Sequence, residues 1–147
     1  MWCCGLGSVD YVELLRRRSK AYYEYSRGAF ERGDYDIAIF MIEQALQLYI
    51  KSMILRILGY TPRTHMIREL LAALAKALSS LNKNLLASRI KDFVEENRDA
   101  LKLIEEAYTG SRYLYKVYER EDVEKLLSIA EKLINLLEDV EHELFAA

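Results

Sequence analysis

Five side chains in this sequence could together bind an anion: Lys51, His65, Tyr108, Arg112 and Tyr113. Lysine and arginine donate charged hydrogen bonds to phosphate, and tyrosine rings can stack on a nucleic-acid base. In an antiparallel helical bundle, these five positions fall at helix ends that share one pole of the molecule. A helix that begins near His65 would add unpaired backbone N–H groups and a favourable dipole. The sequence therefore predicts an anion or nucleotide pocket at this pole.

Two of these residues also have a purely structural interpretation. His65 would then cap the helix that follows it, and Arg112 would pair with Glu105 or Glu106. Both interpretations stay open at the level of sequence.

Other kinds of functional site have weaker support. The sequence contains no glycine-rich phosphate loop, no His-Glu-x-x-His pair and no nucleophile elbow. The nearest approach to a di-metal helical motif is Asp139 with His142, which occurs once, whereas such a site needs two copies. We expect no metal and no cofactor.

The elements that must position the candidate residues are helices, of which the central one should run from Asp34 to Gly59. Its apolar residues form two interleaved helical stripes, so other helices must cover it on two sides. Asp34 can cap its start, and Gly59, followed by Pro62, ends it. Further helices are expected over residues 9–31, 64–81, 85–110 and 122–144, with the polar segment 95–99 as a kink, a turn or a solvated face.

Three local features complete this prediction. Thr64 and Asp122 are expected to be N-caps, and Gly28, inside the first helix, predicts close packing against a neighbour. No segment alternates like a strand. We therefore predict an all-α, up-and-down four-helix bundle with an additional short helix, formed as one domain by residues 9–147 behind a flexible tail of residues 1–8.

The bulk composition narrows the class of protein. A net charge of −2 disfavours a large nonspecific nucleic-acid surface, although it leaves room for a small local site. Glu43 and Lys51 interrupt the apolar runs of the central helix, so no membrane span is expected. The adjacent Cys3 and Cys4 suit free thiols in a reducing compartment, and the first ten residues do not resemble a secretory signal. We expect a cytoplasmic protein.

The eleven tyrosines suggest an interface. Several of them cluster on the first two helices, and exposed tyrosine is favoured at interfaces because it has an apolar ring and a polar tip. A homodimer face is predicted there, formed by Tyr22, Tyr25, Tyr35 and Tyr49. The alternative is a tyrosine-rich periphery of a monomer.

The chain also resembles a known family, the HEPN domain, a small helical domain often associated with minimal nucleotidyltransferases in archaea and bacteria. Four short stretches carry the resemblance: Gly33-Asp34-Tyr35-Asp36 with Ala38 and Phe40, similar to G-x-Y-x-x-A-x-F; Gln44-Ala45 through Lys51, similar to Q-A-x-E-x-x-x-K; Thr64-His65 with Leu70-Leu71, similar to T-H-D-L-x-x-L-L; and Tyr108-x-x-Ser111-Arg112-Tyr113, similar to Y-x-x-S-R-Y. Two positions depart from the family pattern, because its helix-two glutamate is Gln47 here and the Asp after its histidine is Met66.

The resemblance implies a helical bundle and a choice of functions. Nuclease branches of the family carry an Arg and a following His with four to six residues between them, and neither His65 nor His142 has an arginine at that spacing. We therefore expect a non-catalytic homodimer that binds a nucleotide, RNA or a minimal nucleotidyltransferase partner. One alternative is a ribonuclease, the toxin of a toxin–antitoxin pair, in which His65 and Arg112 would converge as catalytic residues. The other alternative is a purely structural interaction module.

Overall fold

The computed structural model describes residues 8–109 and 117–146, and this part of the chain contains six helices and no strand. The predicted all-α fold is confirmed. The helices are α1 (Ser8–Glu31), α2 (Tyr35–Leu58), α3 (Ile67–Ser80), α4 (Asn84–Glu96), α5 (Arg98–Thr109) and α6 (Arg120–Phe145).

Helix α2 is the centre of the bundle, as its two apolar stripes predict. It packs against α1, α3, α5 and α6, and its Leu46, Ile50 and Met53 are completely buried. Gly59 ends it in the left-handed conformation, with φ of 84° and a hydrogen bond of 2.8 Å from its N–H to the Leu55 carbonyl. Asp34 occupies the N-cap position, but the prediction of a side-chain cap there is wrong. Its carboxylate pairs with the exposed Arg32 instead.

At three helix starts or breaks the structure differs from the sequence pattern or decides between its alternatives. The polar segment 95–99 holds a break, because α4 ends at Glu96 and α5 begins at Arg98. Helix α3 begins after Met66, so Thr64 is not its N-cap; the Thr64 hydroxyl accepts the Met66 N–H at 3.2 Å and donates to Glu69. Helix α6 begins two residues before Asp122, with Glu119 as N-cap.

Helix α1 lies at the edge of the bundle and packs mainly on α2. Its Val12 and Leu15 form a small apolar cluster with Leu55 that is separate from the main core. Gly28 contradicts the prediction of close packing, because within the described residues no atom beyond its chain neighbours and the adjacent backbone of α1 lies within 4 Å of where a Cβ would stand. This helix therefore presents an open face beside a glycine that no neighbour within the described chain explains.

By length and composition alone, α2 is apolar enough to cross a membrane, contrary to the expectation that Glu43 and Lys51 exclude this. In the structure, however, 67% of its most apolar window is buried inside the protein. Burial of this kind is typical of the core helix of a soluble domain.

Candidate functional site

A polar stripe crosses the otherwise apolar α2 and consists of Glu43, Gln47 and Lys51, each four residues from the next. This spacing places the three side chains on one face of the helix. They are joined by hydrogen bonds: the Gln47 amide donates to Glu43 at 2.9 Å, and the Lys51 ammonium donates to the Gln47 carbonyl oxygen at 2.9 Å. The stripe therefore connects a fully buried carboxylate to a half-exposed cation.

His65 and Tyr108 complete a group around Lys51. His65 lies in the connection between α2 and α3, where its Nδ1 is 2.9 Å from Lys51 Nζ and 3.0 Å from Gln47 Oε1. Its ring stacks on that of Tyr108 in α5, with centroids 5.4 Å apart and planes inclined by 23°. We call Lys51, His65 and Tyr108 the polar cluster. The structure thus brings together three of the five predicted residues, whereas Arg112 and Tyr113 lie outside the described residues.

The hydrogen bonds of the polar cluster leave Lys51 able to bind a ligand. A protonated Lys51 has three N–H groups and donates one of them to Gln47. Nδ1 of His65 lies within hydrogen-bond distance of a donor, Lys51 Nζ, and of an acceptor, Gln47 Oε1, so these contacts are compatible with either tautomer of a neutral ring. In both cases at least one N–H of Lys51 is left to donate to a ligand.

Burial shifts the pKa values of the two ionisable groups of the stripe, Glu43 and Lys51. Glu43 is fully buried, and this desolvation raises its pKa from 4.5 to about 7, although hydrogen bonds from Gln47 and Gln44 oppose the rise. Burial also lowers the pKa of Lys51, while the charge of Glu43 acts in the opposite direction. Among the described residues, no carboxylate forms a direct ion pair with Lys51.

The N-terminus of α3 is already occupied by an anion from within the protein. The carboxylate of Glu105 in α5 accepts the backbone N–H of Arg68 at 2.7 Å and also binds the Arg68 guanidinium, at 2.9 Å from Nε and from Nη2. The predicted unpaired N–H groups at this helix start are therefore partly used, and a ligand would bind to side chains instead. Arg68 is thus one partner of Glu105, whereas Arg112, which the structural interpretation pairs with Glu105 or Glu106, lies outside the described residues.

The four predicted interface tyrosines have different environments. Tyr25 is exposed over 64% of its surface, and Tyr22 and Tyr35 are half-buried. Tyr49 is buried, with the Arg16 guanidinium 4.0 Å from its ring centre and its hydroxyl 3.3 Å from Glu141. The structure places Tyr49 inside the protomer, so it cannot contribute to an exposed face.

The weak metal motif also has an ordinary role. Asp139 forms an exposed ion pair with Arg89, 3.7 Å away. Across the described ranges, no group of three or more side chains could hold a metal ion.

Sequence reasoning missed the contribution of Glu43 and Gln47 to this site. In the sequence alone, Glu43 is an interruption of an apolar run, and Gln47 is a departure from a family pattern. The available signal was their spacing, because polar residues four apart inside a buried helix must satisfy one another. Lys51, four residues further on, extends the same pattern.

Comparison with known proteins supports the resemblance noted in the sequence. Neither the curated proteins nor the solved structures give a significant match to the chain. The family model described as "HEPN domain" matches residues 12–140, which include the polar stripe, the polar cluster and parts of all six helices. Because this match covers most of the chain, the protein belongs to the HEPN domain family.

Proposed function

We propose that this HEPN domain binds a phosphate-bearing ligand, a nucleotide or an RNA end, at the polar cluster and does not catalyse a reaction on it. The observation that carries the proposal is the contact between Lys51 Nζ and His65 Nδ1 beside a stacked Tyr108 ring. It leaves at least one N–H donor of Lys51 for phosphate oxygens, and aromatic faces that a base can stack on. Lys51 also has no direct carboxylate partner among the described residues to compete with a ligand.

The sequence around His65 argues against catalysis. Nuclease branches of the family carry an Arg and a following His with four to six residues between them, and His65 has no arginine at that spacing. The phosphorane charge that such an arginine would stabilise is therefore left without this partner. His65 suits ligand binding better than activation of a ribose hydroxyl.

The direct test is binding of ATP, GTP, their monophosphates and a short 5′-phosphorylated RNA, measured by thermal shift and calorimetry. A ligand that binds the folded state raises the melting temperature in proportion to its saturation. In Lys51→Ala the loss of a charge-assisted hydrogen bond, about 1.5–3 kcal/mol, should weaken binding about tenfold or more. The matched control is Lys76→Ala, which removes an exposed lysine of α3. Equal affinity in both variants would refute the proposed site.

The other outcomes identify the competing functions. Cleavage of RNA by the wild type, abolished in His65→Ala, would instead indicate a ribonuclease that uses His65 and Arg112. No response to any of these ligands would favour an interaction module, and the next experiment would be a search for a protein partner.

The proposal includes an assembly and a compartment. We propose a homodimer, which the exposed Tyr25 on α1 supports, and a minimal nucleotidyltransferase as a further partner, which the family resemblance suggests. The burial of α2 supports a soluble protein, for which we propose the cytoplasm. Light scattering of the purified chain tests the homodimer independently of ligand binding.

A further inference from the structure

The polar stripe of α2 joins the polar cluster to a carboxylate that has no exposed surface. The two oxygens of this carboxylate, in Glu43, accept hydrogen bonds from the side-chain amides of Gln44, at 2.8 Å, and of Gln47, at 2.9 Å. Gln47 in turn accepts a hydrogen bond of 2.9 Å from the ammonium group of Lys51. A ligand bound to Lys51 is therefore only two hydrogen bonds away from a buried ionisable group that does not touch it.

The elements packed against α2 contribute further ionisable groups, most of which are paired. Together with the polar cluster they supply Lys51, His65, Arg16 of α1, Arg68 of α3, Glu105 of α5 and Glu141 of α6. Each of the two arginines pairs with one of the two glutamates, and Arg16 does so beside Tyr49, on another side of α2. The charge of Lys51 favours the ionised form of Glu43, whereas that of Glu105 disfavours it. An anion that neutralises Lys51 therefore favours the protonated form of Glu43.

We propose that the polar cluster binds its anion together with a proton, which passes from the solvent to the carboxylate of Glu43, and that this coupling selects a doubly charged group, the terminal phosphate of a nucleotide or RNA. A dianion exceeds the single positive charge of Lys51, whereas a singly charged phosphodiester only balances it. The excess negative charge is what the added proton compensates. This inference rests on the proposed function and specifies the ligand class of the same site.

The side chain of Gln47 is suited to transmit the change, because its amide has a donor on one side and an acceptor on the other. With Glu43 ionised, the amide NH₂ group faces Glu43 and the amide oxygen faces Lys51. A protonated Glu43 donates to the amide oxygen instead, and the inverted amide turns its NH₂ group toward Lys51 and His65 Nδ1. Two donors that face one another repel, so Lys51 turns from Gln47 and offers a further N–H to the anion.

The direction and size of the effect follow from linkage between the two binding events. Burial raises the pKa of Glu43 to about 7, so this group changes its charge near neutral pH. A coupling of about tenfold, which is typical of two linked sites, makes a dianion bind about tenfold more tightly when Glu43 is protonated. Because the electrostatic attraction is proportional to the charge of the ligand, a monoanion should gain only about threefold. Anion affinity therefore falls as the pH rises through 7, and it falls more steeply for a dianion.

The test is a pair of tetrahedral anions, sulfate and methyl sulfate, titrated into the wild type and Glu43→Gln and followed by NMR. Sulfate carries two charges and methyl sulfate one, and neither ion titrates between pH 6 and pH 8. Relative to Glu43→Gln, the affinity of the wild type should fall over this range about fivefold for sulfate and about twofold for methyl sulfate. The comparison with Glu43→Gln cancels the titration of His65. Glu96→Gln, at an exposed position of α4, is the matched control and should behave as the wild type.

Each other outcome contradicts a different part of the proposal. If sulfate binds and Lys51→Ala removes this binding, but the wild type and Glu43→Gln have the same pH dependence, the coupling is overturned and the proposed function stands. An equal effect for the two ions would overturn the selection of a dianion. If sulfate shows no saturable binding at either pH, the anion site and this inference are overturned together.

The second measurement needs no substitution at Glu43. The carbon-13 resonance of its carboxyl group should titrate at a higher pH in the presence of saturating sulfate than in its absence. In Gln47→Met, which keeps the length of the side chain but has no amide, sulfate should still bind, and the displacement of this titration should be smaller. An unchanged titration in the wild type would overturn the proton uptake, and an undiminished displacement in Gln47→Met would overturn the role of the amide. Circular dichroism of the variant shows that the helices are retained.

Discussion

The buried carboxyl group of Glu43 makes the stability of this protein depend on pH, and Glu43→Gln should remove that dependence. Glu43 has no exposed surface and accepts hydrogen bonds from Gln44 at 2.8 Å and from Gln47 at 2.9 Å. Two amide donors offset only part of the cost of burying a charge, so the pKa rises to about 7. The neutral amide of the variant cannot ionise in this range.

The sign and size of the effect follow from proton linkage. The pKa of Glu43 is about 7 in the folded protein and 4.5 as the ordinary value of an unfolded chain. The folded state therefore binds the proton of Glu43 more tightly than the unfolded state does. The resulting contribution to the free energy of unfolding is complete below pH 4.5 and is lost as the pH rises toward and through 7. The full difference corresponds to about 3.4 kcal/mol, of which about 2.5 kcal/mol should be lost between pH 5 and pH 8.

The assay is urea unfolding of the wild type and Glu43→Gln at several pH values from 5 to 8. Subtracting the two unfolding free energies cancels the contributions of all other titrating groups that the substitution leaves unchanged. The wild type should lose about 2.5 kcal/mol relative to the variant over this range. Glu96→Gln, at an exposed position of α4, should show no such trend. A difference that is constant with pH would show that Glu43 ionises normally and would refute the argument from burial.

Two further predictions concern the helix ends and α1. Glu105→Gln should lower the free energy of unfolding by about 2–3 kcal/mol, because it disrupts the paired contact with Arg68 and the cap of α3. Glu95→Gln, which affects an exposed ion pair, should lower it by less than about 1 kcal/mol. Equal losses of the two variants in urea unfolding would contradict this. Gly28→Ala should stabilise the monomer by about 1 kcal/mol, because the site is helical and open. Gly59→Ala should destabilise it by about 1 kcal/mol, because its φ of 84° suits glycine. Both are measured by thermal unfolding of dilute protein, and a change of the same sign in both variants would contradict that reasoning.

Most of the helical architecture could be read from the sequence because hydrophobic periodicity is a repeated signal. The two apolar stripes of α2 predicted a central helix between Asp34 and Gly59, and the structure has it within one residue at each end. The start of α3 could not be read in this way. Thr64 is a good cap by residue type, but a carboxylate from α5, Glu105, binds the Arg68 N–H near the start of α3. A contact between residues 37 apart in the chain leaves no local pattern.

The candidate site was predictable to a similar degree. Helix polarity places Lys51, His65 and Tyr108 at one pole, and in the structure His65 contacts both of the others. The contacts of His65 Nδ1 with both Lys51 and Gln47 depend on how the α2–α3 connection folds back on α2, and no spacing in the sequence specifies that geometry. The role of Glu43 was hidden for another reason, since one carboxylate in an apolar run is equally compatible with an exposed face.

The departure at Gln47 becomes intelligible beside Glu43. The family pattern has a glutamate four residues before the lysine, which is the spacing for a direct ion pair within a helix. In this chain an amide stands at that position, and the carboxylate lies one turn further away. Gln47 can accept from Lys51 and donate to Glu43 at once, whereas a second carboxylate there would repel the first in a buried environment. The attraction between Glu43 and Lys51 is thus kept but made indirect, and the ammonium group keeps a donor for an external anion. This is the property on which the proposed binding of phosphate depends.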